Sequence, residues 1–298
     1  MNARIRLAYV SCCVLWGSTW MTIKVGLRDL PPFFFAGTRM LLAAALLLPF
    51  AWRAGLGRES PAALRKMGGI GVLQIGVPYA LMYAAQQWMP SGLSAVLFAT
   101  FPVWLALLAR LMLPGQELTP RKLAAAFLGV VGIAVLQLPA LRAQAFSPLA
   151  PLGGALIVAA AVIVAFANVR VRRELQPQSP LVMAFVQVFA GALVLVALSL
   201  LLERGKPLAF TPSAVGALLY LAVFGTAVTY LCFFWLIPRV PMSAIGAIPL
   251  LDTTVAIVLG ALILHEQIGW PLLAGGALVL AATALANQAP AAPAVEAP

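Results

Sequence analysis

From residue 7 to residue 287 the chain is tiled by apolar runs of about 20 residues, separated by short polar breaks. A helix of that length crosses a hydrocarbon core of ~30 Å. Ten such runs are read, at about 7–26, 33–52, 67–89, 92–113, 122–138, 149–169, 180–202, 212–236, 242–264 and 270–287. No stretch remains in which a soluble domain could fold. Composition agrees, because only 9% of residues are charged and 63% are hydrophobic, where a soluble domain carries about a quarter charged residues. The expected class is an all-α membrane protein. The first run has Arg4 and Arg6 before an apolar core, as a signal peptide does, but it runs on past signal-peptide length and is read as retained.

A net charge of +11 would point to nucleic acid in a soluble chain. Here alternate loops sort it. With the N-terminus inside, thirteen Lys and Arg fall on the inner side and five on the outer side, with Arg39 inside the second run. That bias places both termini in the cytoplasm of a bacterial inner membrane. The expected partners are a small-molecule substrate and the lipid bilayer, with no nucleic acid, and with the chain acting as a monomer. No cofactor and no metal is expected: Cys12, Cys13 and Cys232 show no metal-type spacing, and His265 is the one histidine.

Gly76 matches Gly225, Ser94-Ala95 matches Ser243-Ala244, and Glu117 matches Glu266, each pair 149 positions apart. A shared offset over some forty residues argues for a duplication. Five runs per half is odd, so the second half enters the membrane from the opposite side. The expectation is therefore two inverted five-helix repeats around a central cavity, residues 1–140 and 147–288, followed by a disordered tail at 289–298. Inverted repeats suit alternating access, because two similar halves can exchange conformations about one site.

The segments "LWGSTWMTIKVGL" and "PPFFFAGTRMLLAA", together with "FPVWLALLARLMLPGQELTPRKLAAAFLGVVGIAVL" and "LLDTTVAIVLGALILHEQIGWPLLAGGALVL", resemble EamA-type permeases of the drug/metabolite transporter superfamily. The resemblance covers roughly residues 5–287. It implies ten helices and export or exchange of small metabolites. Two corners depart from the family pattern: Leu113 to Glu117 looks longer, and His265 stands where glycine is usual. Thr253 also stands where proline commonly follows an acid.

Candidate site residues follow from polar or breaking groups at depth. Trp16 and Trp20 share a helix face with Gly17 and Ser18 between them, and Lys24 ends the run at the outer side. Tyr79, Tyr83 and Gln86 make a polar-aromatic stripe after Pro78, a face too costly to turn to lipid. Thr226, Tyr230 and Phe233 repeat it in the second half, with Asn168 and Thr100 as weaker additions. Trp16, Ser18, Trp20, Tyr79, Tyr83, Gln86, Thr100, Asn168, Thr226, Tyr230, Phe233 and Asp252 are the expected substrate contacts. Asp252 is a carboxylate deep in a run, suited to proton coupling, to a substrate amine or to an internal ion pair. Gly17, Lys24, Arg39, Pro78, Pro102 and Pro249 are expected to serve structure or gating, and Glu117 and Glu266 to serve as corner caps.

No phosphate-binding loop is present, so movement is driven by gradients or exchange. The leading expectation is export of amphipathic metabolites, amino acids above all, aromatic ones included. Proton-coupled drug or cation efflux through Asp252 is the alternative. An intramembrane enzyme is a remote third reading, weakened by the lack of a second deep carboxylate.

Overall fold

The computed structural model describes residues 3–112, 120–141, 147–175, 178–236, 239–240, 242–266 and 268–287. Its helical segments are α1 Ala3–Gly26, α2 Pro32–Arg53, α3 Pro61–Ala85, α4 Ser91–Met112, α5 Pro120–Leu141, α6 Ala150–Glu174, α7 Pro180–Leu202, α8 Pro212–Leu236, α9 Met242–Leu264 and α10 Trp270–Asn287. One 3₁₀ turn, Leu56–Arg58, lies between α2 and α3, and no strand occurs among the described residues. The expected corner at Glu117 and the tail lie outside them.

Six segments, α2, α3, α4, α6, α7 and α8, are long and apolar enough to cross a membrane. Helices α5, α9 and α10 carry shorter apolar stretches, at Phe127–Leu136, Leu251–Leu264 and Trp270–Ala282. Helix α1 falls outside both groups because its centre is polar. Ser18, Thr19 and Thr22 are buried against the rest of the protein, so that polarity faces inward. The outer surface is the reverse: Leu200, Leu201, Leu202, Leu262 and Leu273 are each at least 60% exposed. Such a surface suits hydrocarbon and not water.

Several helices outrun the apolar windows read from the sequence. Helix α3 begins at Pro61 and not near 67, α1 includes Arg4 and Arg6, and α6 continues through Arg170 to Glu174. Hydropathy stops at the first charge, whereas a helix continues until its backbone is capped. Ser60 supplies that cap for α3, its hydroxyl accepting from the Ala63 N–H at 3.1 Å, with Pro61 at the first position where a missing N–H costs nothing. Arg170 and Glu174 pair one turn apart at the end of α6.

Two helices are interrupted by π turns, Val72–Gly76 in α3 and Val223–Val228 in α8. In α3 the turn lies just before Pro78, whose missing N–H leaves one rung of the helix ladder open. Helix α4 breaks between Phe98 and Phe101, just before Pro102, for the same reason. The Thr100 hydroxyl closes that gap by donating to the Leu97 carbonyl at 2.8 Å.

Contacts between the segments pair α1 with α8 and α9, α6 with α3 and α4, α7 with α2 and α3, and α5 with α10. The last pair meets at glycines. A Cβ on Gly132 would lie 3.1 Å from the Gly275 carbonyl, and one on Gly275 would lie 3.0 Å from the Gly132 carbonyl.

Candidate functional site

A cavity of about 100 Å³ lies among helices α1, α2, α3, α4, α6, α8 and α9. Helix α1 offers it Trp16, Thr19, Trp20 and Ile23, spaced so that one face points inward. Tyr79, Gln74 and Met82 come from α3, Asn168 and Val164 from α6, and Tyr230 and Phe233 from α8. The break in α4 turns Phe98 and Phe101 to the same space, their rings stacked at 6.2 Å. Helix α9 closes it with Ile248, Pro249 and Asp252.

The walls are aromatic and mutually braced. Trp16 packs on Phe233 at 5.0 Å and on Tyr230 at 5.8 Å, and Trp20 packs on Phe98 at 5.6 Å. The hydroxyls of Tyr79 and Tyr230, from different halves of the chain, stand 3.5 Å apart. Asn168 donates to the Val164 carbonyl at 2.8 Å and reaches Gln74 at 3.4 Å, so the π turn of α3 carries a polar group to the rim.

Arg39 is the charged centre of one wall. It is 1% exposed, yet neither ion pair among the described residues involves it. Its Nε donates to Thr226 Oγ1 at 2.8 Å, Nη1 to Tyr83 OH at 2.9 Å and Nη2 to the Gly225 carbonyl at 3.0 Å. The guanidinium also lies 5.4 Å from the centre of the Tyr79 ring, a favourable cation–π distance. Three of five N–H donors are used in this way. Among the described residues the other two meet no protein acceptor, and the side chain opens on the cavity. Arg39, expected to serve structure, thus does two things: it ties α2 to the π turn of α8, and it puts positive charge at the cavity wall.

Asp252 is 7% exposed and lines the same cavity. It makes no ion pair with Arg39, so the internal pair weighed from the sequence is not formed. Next to it, the Thr253 hydroxyl turns back to the Pro249 carbonyl at 2.6 Å and reaches the Ala95 carbonyl of α4 at 3.3 Å. Gly17 lies against this turn. A Cβ there would come within 2.6 Å of the Asp252 carbonyl oxygen and of Val255 Cβ.

Of the expected substrate contacts, Trp16, Trp20, Tyr79, Asn168, Tyr230, Phe233 and Asp252 line the cavity. Five others do not. Tyr83 and Thr226 stand behind it as acceptors for Arg39. The Ser18 hydroxyl bonds the Leu15 carbonyl at 2.8 Å and Tyr220 OH at 2.7 Å. Gln86 is fully buried just beyond the end of α3, and Thr100 serves the break in α4, accepting from Trp104 Nε1 at 3.2 Å. Spacing marks a helix face, but it cannot say which residues of a broken helix stay on it. Thr19, Gln74, Met82, Phe98 and Phe101 were missed, and the π turn and the α4 break that aim the last four are invisible in a hydropathy pattern.

At the opposite end of α1, Lys24 Nζ donates to the carbonyls of Gln86 at 2.6 Å and Met89 at 2.8 Å, closing the end of α3. Glu266 accepts from the Ser91 N–H at 2.7 Å and the Gly92 N–H at 3.1 Å, closing the start of α4. A cation thus sits on a helix C-terminus and a carboxylate on an N-terminus, as the macrodipoles favour. The expected anchor Lys24 and cap Glu266 therefore clamp one corner between them.

The sequence profile of the EamA-like transporter family matches the chain twice, over residues 5–138 and 151–288. The chain belongs to the EamA-like transporter family. It is a multi-pass membrane transporter, and this membership points away from an enzyme. The uncharacterized transporter YoaV of Bacillus subtilis is 24% identical, covering 93% of this chain and 94% of that one. The inner membrane transporter YedA of Escherichia coli K12 is 28% identical, covering 83% of this chain and 78% of that one. A crystal structure with 19% identity covers 96% of this chain with a TM-score of 0.65, so the overall fold is one already seen in crystals.

Proposed function

We propose that this EamA-family chain is a secondary transporter that exports or exchanges small zwitterionic metabolites, amino acids first among them, by alternating access. The observation that carries this reading is that Arg39 and Asp252 face one aromatic cavity without pairing with each other. A ligand carboxylate would take the two remaining guanidinium N–H groups, an ammonium would meet Asp252, and an apolar body would lie on Trp16, Tyr230 and Phe233. At about 100 Å³ the cavity is smaller than an engineered cavity of about 150 Å³ that admits benzene. Compact neutral amino acids therefore come first, and aromatic ones require the Trp20–Phe98 wall to move.

Alternating access rests on ten crossings arranged as inverted repeats. Supporting this, the family profile matches each half, the π turns fall in the corresponding helices α3 and α8, and exchanging the halves maps the pairs α1–α8 and α1–α9 onto α6–α3 and α6–α4. Charge bias supports cytoplasmic termini.

Counterflow in proteoliposomes loaded with one amino acid at a time tests the reading. Saturable exchange of a neutral amino acid is expected, and no exchange of any amino acid would refute it. Proton-coupled efflux of drugs or cations is the second reading, favoured by the carboxyl of Asp252 opening on the cavity.

A further inference from the structure

A second concavity, of about 620 Å³, lies at the N-terminal end of α1, far from the Lys24 clamp. Its walls are the first turns of α1, the start of α7 and the last turns of α8 with Arg239 beyond them. Leu7, Leu181 and Leu231 make most of it apolar, while Arg4 and Arg239 bring two positive charges and none of its lining residues is acidic. Arg239 is held in place. Its Nη1 donates to the Trp235 carbonyl at 2.8 Å and its guanidinium lies 4.3 Å from the centre of the Trp235 ring. A tryptophan braced against an arginine at the end of a membrane-spanning helix marks the headgroup depth of a bilayer. Ser11 and Ser179 add hydroxyls to the same walls.

We propose that this groove holds one anionic phospholipid, its phosphate between Arg4 and Arg239 and its acyl chains along Leu7, Leu181 and Leu231. The chemistry selects this occupant. A free anion would leave the apolar wall wet, and a second copy of this chain would bury two arginines that the groove itself does not neutralise. A lipid satisfies both parts of the surface at once. Because α1 lies in the first family match and α7 and α8 in the second, the lipid would bridge the two halves.

The test is native mass spectrometry of the purified protein mixed with equal phosphatidylglycerol and phosphatidylcholine. Phosphatidylglycerol is expected to be retained over phosphatidylcholine by at least about tenfold, and the Arg4→Gln/Arg239→Gln variant is expected to lose that preference. The Arg58→Gln/Arg65→Gln variant, which changes two arginines outside the groove, should keep it. Equal retention of the two lipids by the wild-type protein would overturn the proposal without reference to any variant. So would an undiminished preference in an Arg4→Gln/Arg239→Gln protein that elutes as a single folded species.

Discussion

The backbone of Gly17 rests against the carbonyl oxygen of Asp252, close enough that a Cβ would lie 2.6 Å from it. The small residue between two tryptophans is thus a notch for the helix that carries the cavity carboxyl. Gly17→Leu is expected to abolish transport while the protein still inserts, since the clash falls on backbone that cannot turn aside. Gly17→Ala should retain part of the activity and unfold with a loss of roughly 1–3 kcal/mol. Transport assays beside a detergent melting curve check both.

Arg39 holds Tyr83, Thr226 and the Gly225 carbonyl from one guanidinium. Lysine is a point charge and cannot hold three acceptors in that planar arrangement. Arg39→Lys is therefore expected to lower counterflow at least about tenfold, whereas Tyr83→Phe, which removes one charge-assisted bond, should cost about 1.5–3 kcal/mol of stability and leave substrate choice unchanged. Melting curves and competition assays separate the two effects.

Asp252 decides between a facilitated exchanger and a proton-coupled carrier. If the carboxyl serves only to hold an ammonium, Asp252→Asn weakens substrate affinity and leaves the remaining exchange indifferent to a pH gradient. If it carries the proton, the same variant loses pH-driven uptake while gradient-free exchange persists. Uptake measured with and without an imposed pH difference reads the outcome, and the zwitterion account expects the first.

His265 adopts φ 56° at the corner after α9, the left-handed region where a Cβ is unfavourable. Glycine is usual there in the family pattern. His265→Gly is accordingly expected to raise stability by about 1 kcal/mol, read as a higher unfolding midpoint with unchanged transport.

Much of the architecture was legible because the hydrocarbon core imposes one length and one polarity on every crossing. The corner was legible for a related reason: Lys24 and Glu266 stood out as charges at the ends of apolar runs, and each closes a helix end there. The cavity was legible in part. Trp16, Tyr79, Tyr230 and Asp252 were found because aromatic and acidic groups at depth must face protein. Gln74 and Phe98 were not, since a π turn and a proline break rotate the helix face beyond them. Arg39 was placed with the structural residues because its spacing shows neither of the facts that matter, its bonds to the other half and its opening on the cavity.

The most direct test of the account uses counterflow of a small neutral amino acid, such as alanine or valine, against two analogues that each lack one charge. The N-acetyl derivative removes the group meant for Asp252, and the amide removes the group meant for Arg39. The account predicts that the parent amino acid exchanges and that each analogue competes at least about tenfold less well. Equal competition by either analogue would contradict it, because the cavity would then not be reading both ends of a zwitterion.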